Sequence, residues 1–159
     1  MWRQRERIVL LAWLCFLSVS CKQDDQEKII FDVTAIVNKD PGGVKDILGK
    51  PDSVYTLQMM GKSIFCQLYR SHNIEIQYPD SRATDILVYG SNGLPFNQTA
   101  LSAFNLEYRK QHPSDYRKGS FIRWSDLEEF SAISFYNPKK DSLNNIVHFD
   151  IFFKAKTIR

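Results

Sequence analysis

The spacing of apolar residues along the chain first has the period of a helix and then that of a strand. In KDPGGVKDILGKP, Val44, Ile47 and Leu48 recur at i, i+3 and i+4 and form one apolar stripe. Asp40 is a suitable N-cap, and the proline after it fits the first helical turn. Gly49 can supply the C-cap, and the proline two residues later prevents continuation. The segment therefore predicts one short helix.

A period of two follows, in the runs SVYTLQMM, SIFCQLYR, NIEIQYPD and ATDILVYG. In the third run Ile74, Ile76 and Tyr78 alternate with Glu75 and Gln77. The turn residues MGK between the first two runs predict a hairpin. The four runs together indicate an antiparallel meander with one buried face.

The same order of patterns restarts after GSNGLPF. Asn97 is a possible N-cap for a second helix in QTALSAFNL, and strands are predicted in KGSFIRW, EEFSAISFYNP and NNIVHFDIFFKAK. In the last strand Val147, Phe149, Ile151 and Phe153 share one face. The second half thus repeats the helix-then-strands order of the first.

The two halves also align residue by residue. IEIQYPDSRATDILVY placed beside ISFYNPKKDSLNNIVHF matches Ile74 with Ile133 at an offset of 59, and Ile86 with Ile146 at an offset of 60. This match indicates a tandem duplication. The alternative is that two unrelated antiparallel ribbons look alike at this level.

The predicted fold class is α+β, with two tandem αβββ units that share an antiparallel sheet and with the helices packed on one face. Repeat 1 covers about residues 31–90 and repeat 2 about residues 94–155. Both lie within a single predicted globular domain, residues 29–159.

The N-terminus has the zones of a secretory signal peptide. Three arginines precede the apolar run Ile8–Val19, and small residues end at Ser20. A bilayer span needs about 20 apolar residues, so a membrane anchor helix is the weaker alternative. We predict that residues 1–20 are a lipoprotein signal peptide.

Cys21 follows directly after this segment, in LSVSCKQDDQ. The stretch resembles a bacterial lipobox, in which cleavage precedes a cysteine that is then acylated, although Leu17 stands four residues before the cysteine rather than three. A disulfide to Cys66 is the alternative. The prediction is lipidation of Cys21, with the polar residues 21–28 as a hydrated tether. Polar starts of this kind also resemble signals for sorting to the outer membrane.

Charge argues against a nucleic-acid partner. The full chain of 159 residues has a formal net charge of +3, but its first 20 residues contain three arginines and one glutamate. Cleavage would therefore leave a chain close to neutral, without the basic field that attracts nucleic acid.

The segment VKDILGKPDSVY and the strands after it carry a family resemblance. A short helix, an LG-x-P corner at Leu48, Gly49 and Pro51, and a curled antiparallel sheet resemble the envelope lipoproteins of the BamE/SmpA type. They are also similar to the secreted β-lactamase-inhibitor proteins, which pair two such units. The chain has PGG where BamE proteins have a fuller GMT-type helix start. The resemblance implies a non-enzymatic envelope protein that presents a sheet face or loops to a partner.

Candidate chemistry is sparse. His72, His112 and His148 lie in no zinc-binding spacing, and no glycine-rich phosphate loop is present. Cys66 alternates with Ile64 and Leu68, which favours a buried structural thiol over a nucleophile. We therefore predict no catalytic residue, no metal site and no cofactor.

Aromatic residues crowd the second half of the chain. One buried sheet face needs only alternate positions, so Trp124 and Phe152 are the candidate partner-binding residues on the other face. The alternative is that both are covered in the core.

Two functions fit these patterns. The first is a lipid-anchored, non-enzymatic interaction or scaffold protein of the bacterial envelope, located at the outer membrane and bound to a protein partner. The second is a small envelope hydrolase whose site the sequence does not reveal. An inhibitor-like binding module is a further alternative.

Overall fold

The computed structural model describes residues 29–91, 93–107 and 112–157, and they form a single eight-stranded antiparallel sheet with short helices. The strand order across the sheet is β1-β2-β3-β4-β8-β7-β6-β5. The bounds are β1 Ser53–Met59, β2 Lys62–Tyr69, β3 Ile74–Tyr78, β4 Asp85–Val88, β5 Asp115–Arg117, β6 Phe121–Leu127, β7 Phe130–Lys140 and β8 Ile146–Ala155.

Two short α-helices precede the sheet. Helix α1, Val33–Ile36, begins at Asp32, whose carboxylate accepts the N–H groups of Thr34 and Ala35. Helix α2 spans Pro41–Leu48 and has Asp40 as its N-cap. The predicted first helix and its capping residue are therefore confirmed.

The predicted second helix is instead a 3-10 helix, Gln98–Phe104, which begins at Asn97. Another 3-10 turn, Arg70–His72, joins β2 to β3. A residue in the left-handed conformation ends each of them, Asn105 with φ 60° and Asn73 with φ 54°.

The predicted fold class is wrong, because the described chain is predominantly β. Its longest helix, α2, has eight residues, and the αβββ units each have a fourth strand. Gly42 and Gly43 weaken α2, and the 98–104 segment closes only tight 3-10 turns. The helices therefore never form a layer comparable with the sheet.

The hairpin predicted at the MGK turn is confirmed. Strands β1 and β2 pair without interruption from Ser53↔Leu68 to Met59↔Lys62. Met60 and Gly61 both have positive φ, 49° and 76°, as a two-residue type I′ turn requires.

Each half of the chain contributes a four-stranded meander, and the halves meet where β4 pairs with β8. Ile76 pairs with Ile86 in the first meander, and Phe135 pairs with Ile151 in the second. At the offset of 59, Ile76 corresponds to Phe135, so the counterpart of Ile86 in the ladder is Ile151 and not Ile146, which the alignment predicted. The duplication itself stays a prediction.

The hydrophobic core lies on one side of the sheet. Aromatic rings dominate it: Trp124 packs edge-on against Phe135 at 4.9 Å between ring centroids, and Phe104 packs against Phe153 at 5.2 Å. Buried side chains of α1, α2 and the 3-10 helix Gln98–Phe104 join the same cluster. Within the described ranges, none of the helices has the length and apolar character needed to cross a membrane.

Candidate functional site

The second side of the sheet is the candidate site, and we call it the open face. Ile64, Cys66 and Ala132 are buried there, yet they do not belong to the core cluster. Paired residues of neighbouring strands point to the same side of a sheet. The ladder therefore defines a central row of this face, one residue from each strand: Ser53, Leu68, Glu75, Leu87, Phe152, Ser134, Arg123 and Asp115.

Glu75 is the buried polar centre of the open face, with 7% of its surface exposed. Gln77 donates its side-chain N–H to Oε1 at 2.8 Å, and the Tyr89 hydroxyl donates to Oε2 at 2.7 Å. Tyr55 is a third hydrogen-bond partner of the same carboxylate. The carboxylate thus has three hydrogen-bond partners.

These hydrogen bonds set the protonation states of the cluster. Desolvation would raise the pKa of Glu75, but the hydrogen bonds from Gln77, Tyr55 and Tyr89 outweigh it, so the pKa is lowered. Burial and the Glu75 charge raise the pKa values of Tyr55 and Tyr89 far above the ordinary value of 10.0. Glu75 is consequently an anion held by neutral tyrosines.

A cavity of about 700 Å³ opens beside this cluster. The bulge of β7 between Tyr136 and Lys139 shapes it. Asp150 lines the cavity and accepts hydrogen bonds from the Gly90 N–H at 3.0 Å and from Asn137 Nδ2 at 3.0 Å. Its lining is mostly polar and consists of Asn73, Tyr89, Gly90, Asn137, Pro138, Lys139, His148 and Asp150.

A second cavity of about 500 Å³ lies at the other end of β4 and β8. Asp85 and Lys154 pair across the strands there, with 3.9 Å between Oδ1 and Nζ. Desolvation raises the pKa of Asp85, although Lys154 acts in the opposite direction. Both cavities border the open face, so polar recognition groups flank it at each end.

Cys66 lies between Tyr55 and Gln77 in the ladder and is fully buried. Desolvation, followed by the nearby Glu75 charge, raises the pKa of its thiol. Its Sγ lies 3.5 Å from the carbonyl oxygen of Ile64. The arrangement disfavours the reactive thiolate that nucleophilic chemistry needs.

The histidines lie apart from one another. His72 contacts the Ser71 hydroxyl at 2.9 Å, His112 is exposed, and His148 lines the larger cavity beside Gly90. Over the described ranges, His, Cys, Asp and Glu side chains form no group of three that could hold a metal ion.

The structure places the two predicted partner-binding residues on opposite sides. Phe152 lies half-buried in the middle of the open face. Trp124 is only 2% exposed and belongs to the core, so its interpretation as an exposed anchor is wrong. Strand alternation explains this, because Ile122 and Trp124 share the buried side of β6. The predicted lipidation site, Cys21, lies outside the described residues.

The sequence pattern did not predict that Glu75, Tyr55 and Tyr89 form a site. The alternation in NIEIQY indicates that Glu75 and Gln77 point away from the core. By itself it predicts exposure to solvent and not a buried cluster. The three residues come from β1, β3 and the end of β4, so only the ladder brings them together.

A scan against protein-family models, a search of curated proteins and a search of solved structures found no match to this chain.

Proposed function

We propose that the protein is a lipid-anchored bacterial envelope protein that binds a protein partner through the open face, without catalysing a reaction. The observation that carries this proposal is the side-chain composition of that face. The side of an antiparallel sheet that lies away from the core is normally polar. Here Leu68, Leu87 and Phe152 are half-buried along its central row.

Such an apolar row supports contact with another polypeptide. Large apolar groups that stay partly exposed are a cost to an isolated protein and a source of affinity in a complex. Phe152 pairs with Leu87 on one side and with Ser134 on the other, so the two large apolar side chains are adjacent in the row. A partner side chain placed there would contact both Phe152 and Leu87.

The Glu75 cluster supports hydrogen bonding by the same face. The hydroxyl hydrogen of Tyr89 is directed to Glu75, which leaves the lone pairs of that oxygen as acceptors. Tyr55 shares the carboxylate in the same way. The face therefore suits a partner that presents apolar side chains beside N–H donors, as an exposed polypeptide segment does.

The location rests on the N-terminal sequence. A basic start, the apolar run Ile8–Val19 and the lipobox-like stretch before Cys21 support export and acylation. The resemblance to BamE/SmpA-type lipoproteins points in the same direction. We propose attachment to the outer membrane through Cys21, with residues 21–28 as the tether.

Capture of partners by the native protein tests the binding face. Full-length protein, solubilised from envelopes with its lipid, is compared with Phe152→Ala and with Leu143→Ala, a control at an exposed loop tip. We expect a partner that wild type and Leu143→Ala retain and that Phe152→Ala loses by about thirtyfold, as for an interface hot spot of about 2 kcal/mol. Equal capture by all three forms would contradict the proposed face.

A further inference from the structure

Strand β1 forms one edge of the sheet and lacks the charged residues, proline and bulge that protect many edge strands. Its sequence, SVYTLQM, contains no charged residue and no proline. Its seven residues pair with β2 in an unbroken register, without a bulge. An edge of this kind exposes a row of N–H and C=O groups to any strand that approaches.

The opposite edge differs in each of these respects. Strand β5 has only three residues, Asp115–Arg117, and two of them are charged. The Arg117 guanidinium lies 3.6 Å from the Asp115 carboxylate two residues earlier in the same strand. Short length and charge both discourage further pairing at β5.

Apolar side chains accompany the β1 edge. Val54 is 56% exposed and Met59 is 49% exposed, at the two ends of the strand. Met60, in the hairpin turn that follows β1, is fully exposed. Burial of these groups would add a hydrophobic contribution to the backbone pairing.

We propose that β1 pairs antiparallel with β1 of a second copy, about a two-fold axis at Thr56. This register overlaps all seven residues and places Thr56 opposite Thr56, Tyr55 opposite Leu57, Val54 opposite Gln58 and Ser53 opposite Met59. The two positions of each pair differ by an even number. A residue whose backbone N–H and C=O groups point away from β2 therefore always meets another such residue.

The strand favours a second copy over a different partner for two reasons. First, β1 is uncharged, so pairing with itself opposes no like charges, which would be destabilising. Second, the pairing is closed: it uses both β1 edges and leaves only the short, charged β5 edges outside. The two sheets become continuous, and their open faces lie on the same side. The inference goes beyond the proposed function and does not depend on it.

Disulfide trapping tests this register in the full-length protein. In the two-fold pair the Thr56 Cα atoms would be about 4.5–5.5 Å apart, within the range a disulfide spans. Thr56→Cys in cell extracts treated with a mild oxidant should give a reducible dimer. Tyr116→Cys, at the centre of the β5 edge, is the matched control and should not, and the wild-type chain sets the background from Cys15, Cys21 and Cys66. Trapping no greater for Thr56→Cys than for Tyr116→Cys overturns the proposal.

A charge at the axis provides an independent test without a new cysteine. Thr56 is exposed, so Thr56→Lys should leave the fold intact, whereas two lysines would face each other in the dimer. Native mass spectrometry of the purified full-length chain should show dimer for wild type and Thr56→Gln, and at least about tenfold weaker dimerisation for Thr56→Lys. A wild-type monomer, or a dimer that Thr56→Lys leaves unchanged, contradicts the β1 pairing.

Discussion

Trp124 and Phe152 show how strand alternation decides the role of a residue. Both are large aromatic residues in strands of the same sheet. Trp124 shares the buried side with Ile122, whereas Phe152 lies between the buried residues Ile151 and Phe153 and points the opposite way. Amino-acid composition does not distinguish the two residues. Only their positions in the strand register place Trp124 in the core and Phe152 on the open face.

Removal of Trp124 should destabilise the fold. Its indole packs against Phe135 in the core, so Trp124→Ala leaves a cavity and should lower the free energy of unfolding by about 3–5 kcal/mol. Tyr116→Ala, at an exposed aromatic residue of the adjacent strand, should change it by less than about 1 kcal/mol. Chemical denaturation measures both, and a small effect for Trp124→Ala would contradict its placement in the core.

Glu75 should make stability depend on pH. Its pKa in the folded protein is below the ordinary value of 4.5, so its contribution is complete above that pH and is lost as the pH falls through the folded pKa. Glu75→Gln replaces an acceptor by a donor in front of Gln77 and Tyr89. We expect a loss of about 1–3 kcal/mol at pH 7.

The pH profile separates this effect from a simple packing defect. The difference in unfolding free energy between wild type and Glu75→Gln should shrink as the pH falls from about 5 to about 3. Glu129→Gln changes an exposed carboxylate at the β6–β7 turn and serves as the control. A difference that stays constant with pH would show that the charge of Glu75 does not carry the effect.

Among the secondary-structure elements, the local sequence predicted where helices begin and end better than whether a helix is α or 3-10. Asp40 and Gly49 mark the ends of α2 through capping groups that act within one turn. The Gln98–Phe104 segment also begins at its predicted cap, Asn97, but its 3-10 geometry depends on packing of Leu101 and Phe104 into the core.

The connection after β4 should tolerate no side chain at Gly90. Its φ is +69°, and a Cβ there would lie 2.5 Å from Cε1 of His148, at the wall of the larger cavity. Gly90→Ala should therefore cost about 1–3 kcal/mol of unfolding free energy. Gly61→Ala is the matched control, since its φ is +76° but nothing lies within 4 Å of the new Cβ.

Comparison of the two alanine variants isolates the contact with His148. Gly61→Ala should show the cost of backbone strain alone, and Gly90→Ala should exceed it in thermal or chemical unfolding. Equal costs for the two variants would mean that the His148 ring moves aside freely.

At the scale of the whole molecule, acylation of Cys21 is the decisive prediction about location. Mass spectrometry of the native protein should detect no peptide upstream of Cys21 and a lipid-sized mass increment on that residue. Cys21→Ala should release the protein from membranes or stall its processing, and Cys66→Ala, which changes the buried thiol, is the control. A free Cys21 thiol on the native, membrane-derived protein would contradict lipidation.

Most strands, one helix and one hairpin could be predicted from the sequence, because these elements depend on short-range properties. Alternation of apolar residues, capping groups and positive-φ turn residues act over a few positions, as in NIEIQY, at Asp40 and at Gly61. Strand β5 was missed because three residues are too few to show a period.

Which distant residues come into contact depends instead on how the strands pair across the sheet. The pairing of β4 with β8 joins two meanders into one sheet, and no local pattern specifies a partner so distant in the chain. That pairing places Phe152 beside Leu87, in the same row as Glu75, and leaves β1 and β5 at the edges. Burial of an acidic residue such as Glu75 likewise depends on hydrogen bonds that include one from Tyr89, which is distant in the sequence. No single stretch of sequence reveals these bonds.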